Sequence, residues 1–399
     1  MGGLKFRLST ASGPLSVDDY RRLARKKLPD MVWGFVDGAA EDHHTLDANR
    51  AAFSRWSFLP RVLTGKEGVD LRCNLVGTRL DLPVFLAPTG MTGMAHWAAE
   101  PAAARAAEAC GTRAIISTAA SYTPEEVAAA TSENHVFQLY PWASSASGAR
   151  GLTESFIKRA HQADYAALAV TLDVPVHGNR EGERRRGMTV PPVLTPGRIL
   201  NAARKPRWWL NFLRHQRIGA RLLLDERGAG AAVKSAEIQM RLMRPELTWD
   251  DLSWMRDLWD RPLLVKGVLH PEDAVEAVRR GANGVVVSNH GGRQLDGAVG
   301  ALDALPAIVA AVGAQVPVYL DGGVRRGSDV VKALCLGASG VGIGRPYLYG
   351  LAADGQAGVE HVLQIFREEI GRTLTLLGCA STSELGPHLL TRAATGPVR

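Results

Sequence analysis

Residues 317–346 read PVYLDGGVRRGSDVVKALCLGASGVGIGRP. Two short apolar runs, Pro317–Leu320 (PVYL) and Gly340–Ile343 (GVGI), have the length and content of strands buried on both faces. The amphipathic stretch Ser328–Leu336 between them reads as a helix opened by serine and aspartate. Each run ends in a glycine-containing turn, DGGVRRG or GIGRP, that leads into a helix. Backbone N–H groups and the helix dipole in such turns can hold a phosphate, and Arg345 adds a charge-assisted contact. The alternative is that the glycines only permit tight turns.

Working outward, six more runs of the same kind precede these two. They are Pro83–Ala87, Ala114–Ser117, Val136–Tyr140, Ala167–Leu172, Pro262–Lys266 and Gly284–Ser288. Helical stretches lie between them: Glu100–Cys110, Thr123–Thr131, Leu152–Gln162, Pro271–Arg280 and Ala304–Val312. Eight strands alternating with helices predict a closed (β/α)₈ barrel of the TIM type, with the phosphate turns after strands seven and eight, a recurrent barrel arrangement. A doubly wound sheet is the alternative, but nothing marks an edge strand or a reversal of strand order. One domain over residues 1–385 is expected. Within it, residues 1–80 form an N-terminal helical extension and residues 175–245 interrupt the step after the fourth strand. Residues 386–399 read as a flexible tail.

With 399 residues, 46% of them hydrophobic and 22% charged, the chain can bury a large core, which excludes general disorder. Four scattered cysteines, Cys73, Cys110, Cys335 and Cys379, suggest neither a zinc site nor a disulfide framework, so no metal is expected and a reduced, cytoplasmic setting fits. No signal-type apolar segment or membrane-spanning window is present, and MGGLKF has Phe6 where a myristoylation signal needs serine or threonine. The formal charge of +7 is concentrated in the interruption, where KPRWWLNFLRHQR (Lys205–Arg217) mixes cations with Trp208, Trp209 and Phe212. That mixture reads either as a solvated cover whose tryptophans pack on the barrel or as a patch for an anionic membrane surface. Nucleic acid is not the expected partner.

Active sites of parallel barrels lie at the strand C-termini. Here those ends carry Pro88, Thr89 and Gly90; Ser117; Gln138 with Tyr140; Thr171 with Asp173; Lys266; Ser288 with His290; Asp321, Gly322 and Gly323; and Gly344 with Arg345. So many polar groups at one mouth imply a large polar ligand. Lys266 ends an apolar strand and needs an anionic partner: a Schiff-base role, a phosphate, a reduced flavin ring or a structural ion pair would each serve. The most specific signal is SNHGGRQLDG (Ser288–Gly297). Its two glycines expose His290 and Arg293 together, a proton acceptor beside a group that binds carboxylates in bidentate fashion. His43, His44, His96, His135, His177 and His270 lack such neighbours and read as structural or surface groups.

With these residues in view, the chain resembles the FMN-dependent 2-hydroxy-acid dehydrogenase and oxidase family from about Tyr20 to Gly378. The motifs LPDMVWGFVDGAAED, LAPTGMTGMAH, VFQLY, TLDVP, LLVKGV, VSNHGGRQLDG and LDGGVRRGSDVVKALCLGASGVGIGRP carry the likeness in order. The resemblance implies FMN at the strand C-termini. Pro88, Thr89 and Gly90 would lie along the flavin ring, with Ser117, Gln138, Thr171 and Ser288 as further ring and ribityl contacts. Lys266 would stand near flavin N1 and O2, and Asp321, Gly322, Gly323, Arg325, Gly344 and Arg345 in the ribityl and phosphate region.

On the substrate side the resemblance implies oxidation of an L-2-hydroxy acid to the 2-keto acid. His290 is then the base, and Asp173 orients it and favours its imidazolium form. Arg180 and Arg293 hold the substrate carboxylate, and Tyr140 stands near the reacting oxygen. Two routes stay open: loss of the α-proton to leave a carbanion, or loss of the hydroxyl proton with hydride passing to flavin N5. One position departs from the family. Phe35 stands where an active-site tyrosine is usual, which predicts one hydrogen bond fewer to the substrate carboxylate. The family also implies oxygen or a quinone as electron acceptor and a homotetramer. The basic interruption is most similar to the mandelate-dehydrogenase branch, whose matching segment docks on the membrane, so peripheral association with the inner face is expected. A redox-neutral FMN barrel enzyme and a flavin-binding module of little activity are the competing readings.

Overall fold

The computed structural model describes residues 13–142, 150–224, 229–243 and 246–393. Its centre is an eight-stranded parallel sheet: β1 (Val84–Leu86), β2 (Ile115–Ser117), β3 (Val136–Leu139), β4 (Ala167–Thr171), β5 (Leu263–Val268), β6 (Gly284–Val287), β7 (Val318–Asp321) and β8 (Gly340–Ile343). Neighbours in sequence are neighbours in space from β2 to β8, and β8 pairs with β1 through Val341↔Val84 and Ile343↔Leu86. The last seam, β1 to β2, is a single parallel bridge, Leu86↔Ala114. The predicted barrel therefore forms, and the doubly wound alternative fails because the sheet has no reversal of strand order.

Side chains alternate across a strand, so residues two apart face the same way. Phe85, Ile115, Val136, Ala169, Leu264, Val286 and Tyr319 form a packed layer inside the barrel. Two residues further on, the same face carries Ser117, Gln138, Thr171, Lys266 and Asp321, all buried, with Ser288 following β6. The apolar layer is the floor on which the polar layer stands. Below it, the hairpin of Cys73–Leu75 and Thr78–Leu80 closes the barrel with Leu75 and Leu80, and the Val76 N–H donates to the Tyr319 hydroxyl at 2.8 Å.

Helices Val17–Lys27, Asp30–Asp37 and His44–Ser54 make up the helical part of the N-terminal extension. The extension was expected to be helical to residue 80. Instead residues 56–80 hold three short strands, because Leu75 and Leu80 are needed as the barrel floor and Trp56–Phe58 pairs with Leu390–Arg392. That pairing also corrects the tail. Residues 387–392 are a short 3-10 turn and a strand, anchored by Leu389 and Leu390 at 2% and 7% exposure. Residues 394–399 lie outside the described residues, as do residues 1–12.

The interruption contains helices Glu181–Arg185, Pro196–Ala203, Pro206–His215 and Ala229–Leu242. Pro196 and Pro206 sit in the first turn of their helices, where the absent N–H costs nothing, and Thr195 caps the first of them. The 206–215 helix is pinned to the barrel by Trp208 Nε1–H donating to Met94 O at 2.7 Å and by His215 stacked on Trp97. Its other side exposes Trp209, Leu210 and Leu213, beside Ile199 and Leu200 of the preceding helix. No helix among the described residues is long and apolar enough to cross a membrane.

Candidate active site

A buried chain of charge runs across the polar layer. Lys266 Nζ lies 2.9 Å from Asp321 Oδ2 and donates to Ser288 Oγ at 2.7 Å, while Ser288 Oγ–H donates to Asp321 Oδ1. Asp321 is thus the anionic partner that Lys266 requires, and Lys266 is only 3% exposed. Gly267, next to Lys266, leaves room for Asp173. The pairing of β5 with β6 shifts register between Lys266 and Val268, and a Cβ on Gly267 would stand 2.6 Å from Asp173 Cβ.

His290 follows β6 in a left-handed turn with φ of 58°, and Gly291 and Gly292 continue it. A Cβ at Gly292 would lie 2.6 Å from the Leu46 nitrogen, so only glycine lets the N-terminal extension pack against this loop. The turn aims the imidazole between two partners: Asp173 Oδ1 at 3.1 Å from Nδ1, and the Tyr140 hydroxyl at 3.2 Å from Nε2. An ionised carboxylate only accepts, which places the proton of neutral His290 on Nδ1 and leaves the Nε2 lone pair free to accept from Tyr140. Burial pushes the His290 pKa below its usual value, and the Asp173 charge opposes this without overcoming it. The expectation that Asp173 favours the imidazolium holds for its own contribution, but burial wins in the net. The burial that opposes its ionisation notwithstanding, Asp173 is held below the usual carboxylate range by His290 and Lys266. Burial raises the Tyr140 pKa, so the phenol stays protonated as a donor.

Arg293 spans from this loop to the N-terminal extension. Its Nη1 donates to the Phe35 and Gly38 carbonyls at 2.8 and 2.9 Å, its Nη2 pairs with Glu183 at 2.7 Å, and its guanidinium carbon stands 5.0 Å from the Phe35 ring centre. Arg180 is half-buried beside it and donates to Arg293 O and Gln294 Oε1. Burial, and then the neighbouring Arg293 charge, lower the Arg180 pKa to about 10, which still leaves it charged at neutral pH. The cavity between these groups is lined by Phe35, Thr89, Gly90, Tyr140, Lys266, His290, Arg293, Arg325 and Arg345, among others. Arg345 lies across it, donating to Gly291 O and Gly38 O.

Most of the expected site residues therefore meet at one mouth, although they come from all eight strands. Sequence reasoning missed two groups. Glu183 carries its signal in the spacing REGE (Arg180–Glu183), which puts the two residues on one side of a short helix. His177 was read as a structural or surface group. It is exposed, and partial burial of its ring, then the charges of Arg180, Arg293 and His290, push its pKa down to about 4.

The FMN-dependent dehydrogenase family matches residues 24–392. The chain belongs to that family. Relatives of this FMN-dependent family include the L-lactate oxidase of Nostoc sp., 38% identical over 387 residues that cover 96% of this chain and all of the relative. Glycolate oxidase of Spinacia oleracea is 39% identical over 382 residues, covering 96% and 97%. A crystal structure of the monotopic membrane protein (S)-mandelate dehydrogenase superposes with a TM-score of 0.91 at 37% identity, covering 96% of this chain and all of that one. This chain is accordingly an FMN-dependent oxidoreductase of the 2-hydroxy-acid oxidase and dehydrogenase family.

The residues present fit FMN. Gln138 Nε2, Thr171 Oγ1, Arg325 Nε and Arg345 Nε are buried polar atoms without a partner among the described residues, and each is a donor that FMN could satisfy. Such orphans are costly unless a ligand completes them. Gly322 and Gly323, with φ of 105° and 82°, bring backbone close to the same space.

Proposed function

We propose that the protein oxidises an L-2-hydroxy acid to the 2-keto acid, with His290 as the base. The observation that supports this best is His290 with its Nδ1 tied to Asp173 and its Nε2 lone pair opening on the cavity beside Arg293. Lys266, Gln138, Thr171, Ser117, Ser288 and Pro88–Gly90 would hold the flavin ring and ribityl chain of FMN. Asp321–Gly323, Arg325, Gly344 and Arg345 would hold the ribityl end and phosphate. When bound, FMN supplies the two-electron acceptor.

The chain's own residues do the rest. Arg180 and Arg293 orient the substrate carboxylate, and the Tyr140 hydroxyl donates to the substrate oxygen once substrate displaces His290 from it. His290 Nε2 takes one proton, and the imidazolium that forms is stabilised by Asp173 at 3.1 Å. Phe35 contributes an apolar ring beside Arg293 in place of a hydroxyl. A redox-neutral enzyme or an inactive flavin module would leave the His290–Asp173 pair and both arginines without work. The test is anaerobic bleaching of the purified holoenzyme by aliphatic and aromatic 2-hydroxy acids of both configurations. Bleaching by an L acid is expected, and FMN that no acid bleaches would refute the proposal.

A second reading concerns location and acceptor. The exposed Val193, Leu194, Ile199, Leu200, Trp209, Leu210 and Leu213 stand among Arg198, Arg204, Lys205, Arg207 and Arg214. Apolar residues that face solvent within a basic segment suit the headgroup layer of an anionic membrane. We propose peripheral attachment at the inner face, with a membrane quinone rather than oxygen as acceptor. Co-flotation with anionic but not neutral vesicles, and slow recolouring of reduced flavin in air, are expected. The assembly proposed is a homotetramer, measurable by light scattering.

A further inference from the structure

Arg293 reaches the cavity on a long side chain, and Glu183 is the one charged group among the three that hold its guanidinium. Glu183 is 7% exposed; its carboxylate lies 2.7 Å from Arg293 Nη2 and rides on the short helix Glu181–Arg185 whose N-cap is Arg180. The Phe35 and Gly38 carbonyls take both Nη1 hydrogens. A guanidinium has five N–H bonds. Glu183 and the two carbonyls use three, which leaves the Nε–H and one Nη2–H without an acceptor among the described residues, the number a bidentate carboxylate contact needs. Glu183 also puts a negative charge beside two neighbouring cations, Arg180 and Arg293, whose mutual repulsion would otherwise spread them.

We propose that Glu183 is the positioning residue for Arg293, holding the free edge of its guanidinium in place for the substrate carboxylate. This rests on the proposed role of Arg293 toward that carboxylate. Because one short helix carries Arg180 and Glu183, both arginines are set by the same turn of the interruption. Docking of that segment and orientation of the carboxylate site are then one event.

The test uses the FMN-loaded protein and two readouts: calorimetric affinity for glyoxylate, pyruvate and phenylglyoxylate, and anaerobic bleaching by the corresponding hydroxy acids. For Glu183→Ala, affinity for the 2-keto acid and half-saturation by the hydroxy acid should each weaken roughly tenfold or more. The limiting bleaching rate and FMN content should stay close to wild type, whereas the thermal midpoint should fall, because Glu183→Ala leaves the Arg293 charge without its buried partner. Glu183→Gln keeps an acceptor oxygen but not the charge and should recover part of the affinity. If Glu183→Ala sheds FMN, Glu183→Asp replaces it, with the charge kept but drawn back by one methylene, and the same weakening is expected. Unchanged keto-acid affinity in these variants would overturn the inference, as would equal losses in limiting rate and FMN content. Absence of bleaching in the wild type would instead defeat the proposed function itself.

Discussion

Asp173→Asn removes the charge on which His290 leans. The two side chains are 18% and 13% exposed and 3.1 Å apart, so the contact is a charge-assisted hydrogen bond in a largely dry site. Such a bond contributes about 1.5–3 kcal/mol. At about 1.4 kcal/mol per unit, the His290 pKa should fall by roughly one to two units, further below its usual value than burial already places it. The imidazolium that forms as a proton arrives is destabilised by the same amount, which predicts a limiting rate of flavin bleaching roughly 10- to 100-fold lower. The sign for pH is definite. His290 acts as a base only when neutral, so bleaching in the wild type rises with pH through its pKa and then levels. In Asp173→Asn that rise should move to lower pH while the plateau drops. Anaerobic stopped-flow bleaching across the acidic and neutral range measures both. A variant with full FMN, an unmoved rise and a plateau within roughly threefold of wild type would refute the role given to Asp173.

Three further outcomes are expected. His290→Gln should keep yellow FMN and lose bleaching by substrate, and unchanged reduction kinetics would remove His290 from its role. Arg345→Met removes a guanidinium whose buried Nε lacks a partner among the described residues, so FMN affinity by flavin fluorescence should fall roughly 10- to 100-fold, in line with loss of contacts to a charged group. Phe35→Tyr places a hydroxyl on the ring beside Arg293 and should lower the half-saturating substrate concentration; a gain of roughly tenfold corresponds to one added hydrogen bond to a carboxylate.

The barrel and the polar mouth were legible in residue order alone. Strand alternation has a period of two, so a run such as LLVK states both that Leu264 packs inward and that Lys266 follows on the same face one layer up. The glycines after β6 and β7 were equally legible, since a left-handed backbone is a local demand. Pairings between distant segments were not. That Asp321 answers Lys266, that Glu183 answers Arg293, and that the hairpin at 73–80 serves as the barrel floor each join residues from about 55 to 245 positions apart. The tail was misread for the same reason: nothing in PHLLTR shows that Leu390–Arg392 finds an edge at Trp56–Phe58. Local periodicity and turn chemistry determined which residues face the mouth. Only closure of the chain on itself decided which charges meet there, because an ion pair depends on the distance between side chains in space, and sequence separation does not set it.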